Sequence, residues 1–191
     1  MALSTQSFWD GFYASNIANE WYFDLNQVSE ANGFLRISDN AYPIVVHGGC
    51  GACTVAQCVN YGYLAEFDFS AAVVKNTAQG KSDMLVIDAL HLPFRDEFCD
   101  IIIEKGLFDS ITARLCSRNA FANAVLCEYH RILGKGGFAV IFSIFGPDSD
   151  DKDMLGLLSH PRIQVECHNI FHRPAEIPMQ NFCYVYILRK V

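Results

Sequence analysis

The chain has 191 residues, 51% hydrophobic and 18% charged, with a formal net charge of −7. That balance predicts one folded domain with a sizeable core and excludes a disordered chain. The acidic charge argues against binding nucleic acid by phosphate neutralisation, and no apolar run approaches the ~20 residues of a membrane span.

Near the start, Trp9, Phe12, Tyr13, Ile17, Glu20 and Trp21 follow steps of three and four. That spacing predicts a helix with an aromatic stripe on one side. From residue 42 the pattern changes to short apolar runs separated by glycines. "YPIVV" (42–46) predicts a buried strand, and "TVAQCVNYG" (54–62) a short helix closed by Gly62. "YLAEFD" (63–68) predicts a second strand, "SAAVVKNTAQG" (70–80) a helix and "DMLVID" (83–88) a third strand. "CDIIIEKG" (99–106) predicts a fourth, its three isoleucines implying burial on both faces.

A longer helix is expected over 117–133, broken by "GKGG", followed by the apolar strand "FAVIFSIF" (138–145). "DDKDMLGLLSH" (150–160) reads as helical, and 162–171 and 181–190 as two closing strands. Strands alternating with helices imply an α/β sheet, parallel through its first five strands, with an antiparallel pair at one edge.

Between the first strand and the first helix stands "GGCGA" (48–52). Glycines there allow the backbone to approach a ligand closely, and an open α/β sheet binds ligands beyond the carboxyl ends of its strands. Asp68 and Asp88 end the second and third strands, on the same rim. Two carboxylates so placed suit a nucleoside, one at the sugar hydroxyls and one near an adenine amino group. Aligning the first two glycines of a dinucleotide fingerprint with Gly49 and Gly51 puts Thr54 at the third. That disfavours a pyrophosphate, and with it a nicotinamide-dependent dehydrogenase. A nucleoside with an amino-acid tail, S-adenosylmethionine, fits better.

Other motifs are weaker. Cys50 and Cys53 form a CxxC with no second pair, where a structural zinc takes four ligands. Cys167, His168 and His172 fall on a segment read as extended, too far apart for one metal. "DSDDKD" (148–153) lacks the glycine and glutamate of a calcium loop. No metal is expected. Eight scattered cysteines without an export signal predict reduced thiols and a cytoplasmic setting.

Four segments carry a family resemblance: "FWDGFY…EWY", "GGCGA", "FDFSAAVV" and "DALHLPFRDEFCDIIIEKGLFDSI"; the later "EYHRILGKGGFAVIFS" fits the helix and strand that usually follow them. The chain resembles the class I S-adenosylmethionine-dependent methyltransferases. It is most similar to the methyltransferase-like group acting on lysines or the N-terminus of a translation elongation factor, and on citrate synthase. "EKGLFD" and the opening "WD…EWY" are the specific parts.

The resemblance implies a Rossmann-like sheet of seven strands, mostly parallel with an antiparallel edge pair, and helices on both faces. It implies one domain over residues 1–191, with 1–40 a helical lid and 41–191 the core. Trp9, Tyr13 and Trp21 would close over the cofactor, and Gly49 and Gly51 would pass its methionine part. Asp68 would hold the ribose, with Phe69 beside the adenine and Asp88 and Ala89 at its edge. Lys105 would face the methionine end. His47 stands where many methyltransferases carry an acidic residue.

An amine acceptor must lose a proton before methyl transfer, and Glu104, Asp109 and Tyr22 are placed to help by their position near the fourth strand end and the aromatic lid. The expected function is methylation of a protein amine, lysine first, so the expected partner is a protein substrate. A small-molecule methyltransferase and a catalytically silent fold serving as a scaffold remain the alternatives.

Overall fold

The computed structural model describes residues 5–15, 21–22, 33, 41–53, 55–77, 82–113, 117–149, 153–170 and 183–191. Seven strands form one sheet: β1 (Ile44–Gly48), β2 (Tyr63–Asp68), β3 (Asp83–Val86), β4 (Cys99–Lys105), β5 (Leu133–Ser143), β6 (Ile163–Ile170) and β7 (Cys183–Lys190). Their order is β3-β2-β1-β4-β5-β7-β6. The first five run parallel, and β7 lies antiparallel between β5 and β6. This is the Rossmann-like seven-stranded sheet expected above.

The isoleucine triplet shows how the sheet is held. Ile101 and Ile103 face one layer with Val45, Val140 and Val185, whereas Ile102 faces the other with Val46, Ala139 and Ile141. Successive strand residues point to opposite faces, so a run apolar throughout requires cover on both. On the Ile102 side the cover is α4 (Arg118–Ile132), through Ala122, Val125, Leu126, Tyr129 and Ile132. Ile102 has no exposed surface, and truncating it to alanine costs about 2–5 kcal/mol in sites of this kind.

The other described helices are α1 (Gln6–Ser15), α2 (Ala71–Thr77), α3 (Leu107–Ile111) and α5 (Met154–Leu157). Among the described residues no helix is long and apolar enough to cross a membrane.

Several elements differ from expectation. Residues 55–61 make turns and no helix. The Val55 N–H, which a helix start would leave facing the loop, donates instead to the Glu66 carboxylate at 3.1 Å. The third strand stops at Val86, because Asp88 turns the chain: its carboxylate accepts the Leu90 N–H and its carbonyl the His91 N–H, both at 3.0 Å. "GKGG" does not separate helix from strand. β5 starts at Leu133 and runs through the glycines, with a register shift opposite Cys99–Ile101 and Gly136 at φ 74°. It ends at Ser143, two residues early. The helix expected over 150–160 is the single turn α5.

Trp21 is not part of a helix with Trp9, yet its ring meets Trp9 at 5.9 Å and Phe12 at 5.7 Å. Ile17, Glu20, Thr54, Gly80, His172 and most of the expected lid over 1–40 lie outside the described residues.

Candidate active site

The glycine segment follows β1 as a turn. Gly49 and Gly51 have φ of 59° and 54°, a left-handed backbone that side chains other than glycine rarely adopt. Space forbids a side chain as firmly as angle does. A Cβ at Gly49 would lie 2.7 Å from the Leu107 Cβ, and one at Gly51 would lie 2.7 Å from the Tyr13 hydroxyl.

The turn is tied to the end of β2. The Cys50 N–H donates to the Phe67 carbonyl at 2.9 Å, and the Gly51 N–H to the Asp68 carboxylate at 3.0 Å. The other Asp68 oxygen accepts the Ser70 N–H at 2.9 Å. Burial raises the Asp68 pKa, and these backbone donors offset only part of that. The carboxylate is thus preset in one orientation, with acceptor capacity left for further donors.

A cavity of about 190 Å³ opens beside it. Trp9, Tyr13 and Trp21 line it with their rings, Gly49, Asp68, Phe69, Asp88 and Ala89 line it from the strand ends and the turns after them, and Lys105 does so from the end of β4. The structure therefore brings these nine expected residues to one cavity. Gly51 does not line it, and acts from behind through Asp68. The spacing of residues missed Phe67, Ile87 and Leu90, and also Gly106, Leu107, Ser110, Ile111 and Phe121, which complete the wall. Four of these lie on α3 or its first flank, a five-residue helix too short to leave a periodic signal.

The aromatic wall is a packed cluster. Trp9 stacks on Tyr13 at 5.8 Å between centroids, and Tyr13 is only 3% exposed. Burial, with the charge of Asp68 nearby, pushes the Tyr13 hydroxyl pKa up. Asp10, also unforeseen, fastens α1 to the core: its carboxylate accepts the Ser70 hydroxyl at 2.7 Å and the Ala72 N–H at 3.3 Å.

Lys105 is 7% exposed, and burial pushes its amine down to about 7. It also lines a small recess of about 10 Å³ with Trp21, His47, Gly49, Cys50, Ala52 and Cys53. At that recess His47 pairs with Glu66 at 2.9 Å, each about 1% exposed. Burial alone would raise the Glu66 pKa, but the hydrogen bond and charge of His47, with Ser82 and the Val55 N–H, bring it to about 2.

Glu104, Asp109 and Tyr22 are not in the cavity wall. Glu104 is fully buried and accepts the Phe108 N–H at 2.7 Å. Asp109 accepts the Tyr22 hydroxyl at 2.8 Å, the Ser143 hydroxyl at 2.7 Å and the Ile144 N–H at 3.2 Å. Burial, reinforced by Asp109, raises the Tyr22 hydroxyl far above its ordinary value. Among the described residues no group of three or more His, Cys, Asp or Glu side chains is arranged to hold a metal ion. Cys50 and Cys53 are both buried, at 3% and 8% exposure.

The cavity suits S-adenosylmethionine on the chain's own terms: two glycines that admit no Cβ, a fixed carboxylate at a strand end, and ring faces for a sulfonium cation. The methyltransferase domain family matches residues 46–141, half of the chain. No curated protein matches it in sequence. Solved structures share its fold. The N-methyltransferase NodS from Bradyrhizobium japonicum WM9, in complex with S-adenosyl-L-homocysteine, superposes with a TM-score of 0.69 at 14% identity, covering 95% of this chain and 98% of its own. A Haloferax volcanii methyltransferase in complex with the Trm112 activator gives 0.66 at 16%, covering 98% and 97%. Geranyl diphosphate C-methyltransferase from Streptomyces coelicolor A3(2) gives 0.63 at 13%, covering 85% and 78%. The chain belongs to the methyltransferase domain family and is a class I S-adenosylmethionine-dependent methyltransferase.

Proposed function

We propose that the chain methylates an amine, with protein lysine as the acceptor. One observation carries this reading. The two segments most specific to the resemblance, "EWY" and "EKGLFD", are joined by the hydrogen bond from Tyr22 to Asp109 at 2.8 Å. The segments that carry the resemblance to the lysine-modifying group therefore meet beside the cavity, and it is that resemblance that points to a protein amine.

The cofactor would supply a methyl group on its sulfonium: the lone pair of a deprotonated amine would bond to that carbon as the carbon–sulfur bond breaks, leaving neutral S-adenosylhomocysteine and a methylammonium that returns its proton to solvent. Asp68 would hold the ribose hydroxyls, and Asp88 and Ala89 would line the adenine edge. Gly49 would leave room for the methionine part, with Lys105 to receive its carboxylate. Trp9, Tyr13 and Trp21 would exclude water and offer ring faces to the positive charge. Asp109 has its oxygens occupied and Tyr22 donates its only proton to it. Those two, with Glu104 bound to the Phe108 N–H, act on the acceptor through the backbone and lid they hold in place.

The test is transfer of a radiolabelled methyl group from S-adenosylmethionine to a lysate, followed by mass spectrometry. Label on lysine side chains of one or a few proteins supports the reading. Label confined to low-mass material assigns a small-molecule acceptor. Firm cofactor binding with no transfer to any fraction assigns a silent scaffold.

A further inference from the structure

Trp21 and Tyr22 are neighbours in sequence but serve opposite sides of the site. Trp21 lines the cavity and packs against Trp9 and Phe12. Tyr22 turns away from it. Its ring covers Gly106, coming within 3.2 Å of where a Cβ there would sit, and its hydroxyl reaches Asp109 at 2.8 Å. This divergence depends on the backbone: Tyr22 has a φ of 62°, a conformation that a bulky residue keeps only when its surroundings impose it.

Asp109 can impose it because it is itself immobilised. The Ser143 hydroxyl and the Ile144 N–H, both at the end of β5, donate to its carboxylate. Ser143 is held in turn, its hydroxyl oxygen accepting the Phe145 N–H at 3.0 Å. A continuous chain of contacts therefore runs from the end of β5 through Asp109 to Tyr22, and across one peptide bond to the cavity wall.

We propose that Tyr22 is a latch: its hydrogen bond to Asp109 sets the Trp21 ring in the cofactor wall, so that cofactor retention depends on a contact made outside the cavity. Tyr22 is a positioning residue here and touches neither cofactor nor acceptor. This rests on the cavity being the S-adenosylmethionine site. A ring in that wall slows the escape of a bound nucleoside, so the latch acts on dissociation more than on association.

The chain has two tryptophans, Trp9 and Trp21, and both belong to this wall. Fluorescence excited selectively at tryptophan, so that the eight tyrosines do not contribute, therefore reads this wall. The experiment compares the unaltered chain with Tyr22→Phe, Asp109→Asn and the double variant. It measures acrylamide quenching without ligand, S-adenosylhomocysteine affinity and dissociation rate, and melting temperature.

Tyr22→Phe keeps the ring over Gly106 and loses only the hydroxyl. The expected result is stronger quenching and at least a tenfold faster dissociation, with melting shifted by no more than a few degrees. The double variant should be no worse than the more severe single variant. Unchanged quenching and dissociation in Tyr22→Phe would overturn the latch, as would effects of the two substitutions that simply multiply. If Tyr22→Phe does not fold, Ser143→Ala, which removes a donor that fixes Asp109, provides the same readout: stronger quenching is expected, and unchanged quenching overturns the latch. Failure of the unaltered chain to bind S-adenosylhomocysteine is a different result, because it removes the cofactor reading itself.

Discussion

The Gly51 N–H donates to the Asp68 carboxylate at 3.0 Å, which joins the glycine turn after β1 to the end of β2 through a single side chain. Asp68 therefore has two duties, bracing the turn and offering acceptors to the cavity. Asp68→Ala should lose both. A hydrogen bond to a charged group contributes about 1.5–3 kcal/mol, so the loss of one ribose contact would lower cofactor affinity by roughly 10- to 150-fold, and the loss of two by more. Asp68→Asn keeps the shape and one acceptor, and should fall between. Titration calorimetry with S-adenosylhomocysteine checks the order.

Gly49→Ala should be damaging for two separable reasons. Its φ of 59° strains any side chain, and its Cβ would meet the Leu107 Cβ at 2.7 Å. Strain of this kind costs on the order of 1–3 kcal/mol. Because Leu107 begins α3, relief of the clash must move the cavity wall. The double variant Gly49→Ala/Leu107→Ala should recover part of the melting temperature in a thermal scan. No recovery would mean that backbone angle alone accounts for the damage.

Acid should act through Glu66. Its folded pKa of about 2 lies below its ordinary value of 4.5. Between those values the unfolded chain binds the extra proton, so the stabilisation is complete above about pH 4.5 and is lost as pH falls toward 2. The loss across that window should amount to a few kcal/mol, because each tenfold difference in proton affinity between the folded and unfolded chain is worth about 1.4 kcal/mol. Glu66→Gln should remove this part of the acid dependence in denaturant melts, at a cost in stability near pH 7. His47→Ala, which strands a buried carboxylate, should cost about 3–5 kcal/mol.

Lys105 should make cofactor binding pH-dependent. Burial places its amine near 7 in the free protein. A carboxylate arriving beside it favours the charged form, so its pKa rises and a proton is taken up on binding. Affinity should therefore weaken as pH rises above about 7. Calorimetry in two buffers of different ionisation enthalpy should report net proton uptake near pH 7.5, and Lys105→Met should abolish it.

The sheet is legible in the sequence because its signals are strong and local. The apolar runs at β1, β2 and β4 and the acids after β2 and β3 are visible in a linear reading. Pairing of distant side chains is not. Asp10 reaching Ser70, His47 facing Glu66 and Tyr22 reaching Asp109 are contacts over 60, 19 and 87 residues, and no spacing rule predicts them. The helix expected at 54–62 shows the same effect in reverse. Its residues favour a helix locally, but the chain makes a single turn there, with the Cys58 and Val59 N–H groups on the Val55 carbonyl, before it enters β2. Helix α3 leaves little trace because five residues give too little periodicity, although Gly106 before it, at φ 80°, is the kind of position that marks an abrupt turn. Trp21 does join Trp9 and Phe12, as the spacing suggests, but not by sharing their helix: a separate stretch of chain delivers it.

The most direct test of the account is calorimetric titration of the unaltered chain and of Asp68→Ala with S-adenosylhomocysteine. The account predicts one site per chain, with affinity lost by at least tenfold in the variant, which still folds but melts below the parent because the Gly51 and Ser70 N–H groups lose their shared acceptor. No saturable binding by the unaltered chain, or equal affinity in the two proteins, would contradict it.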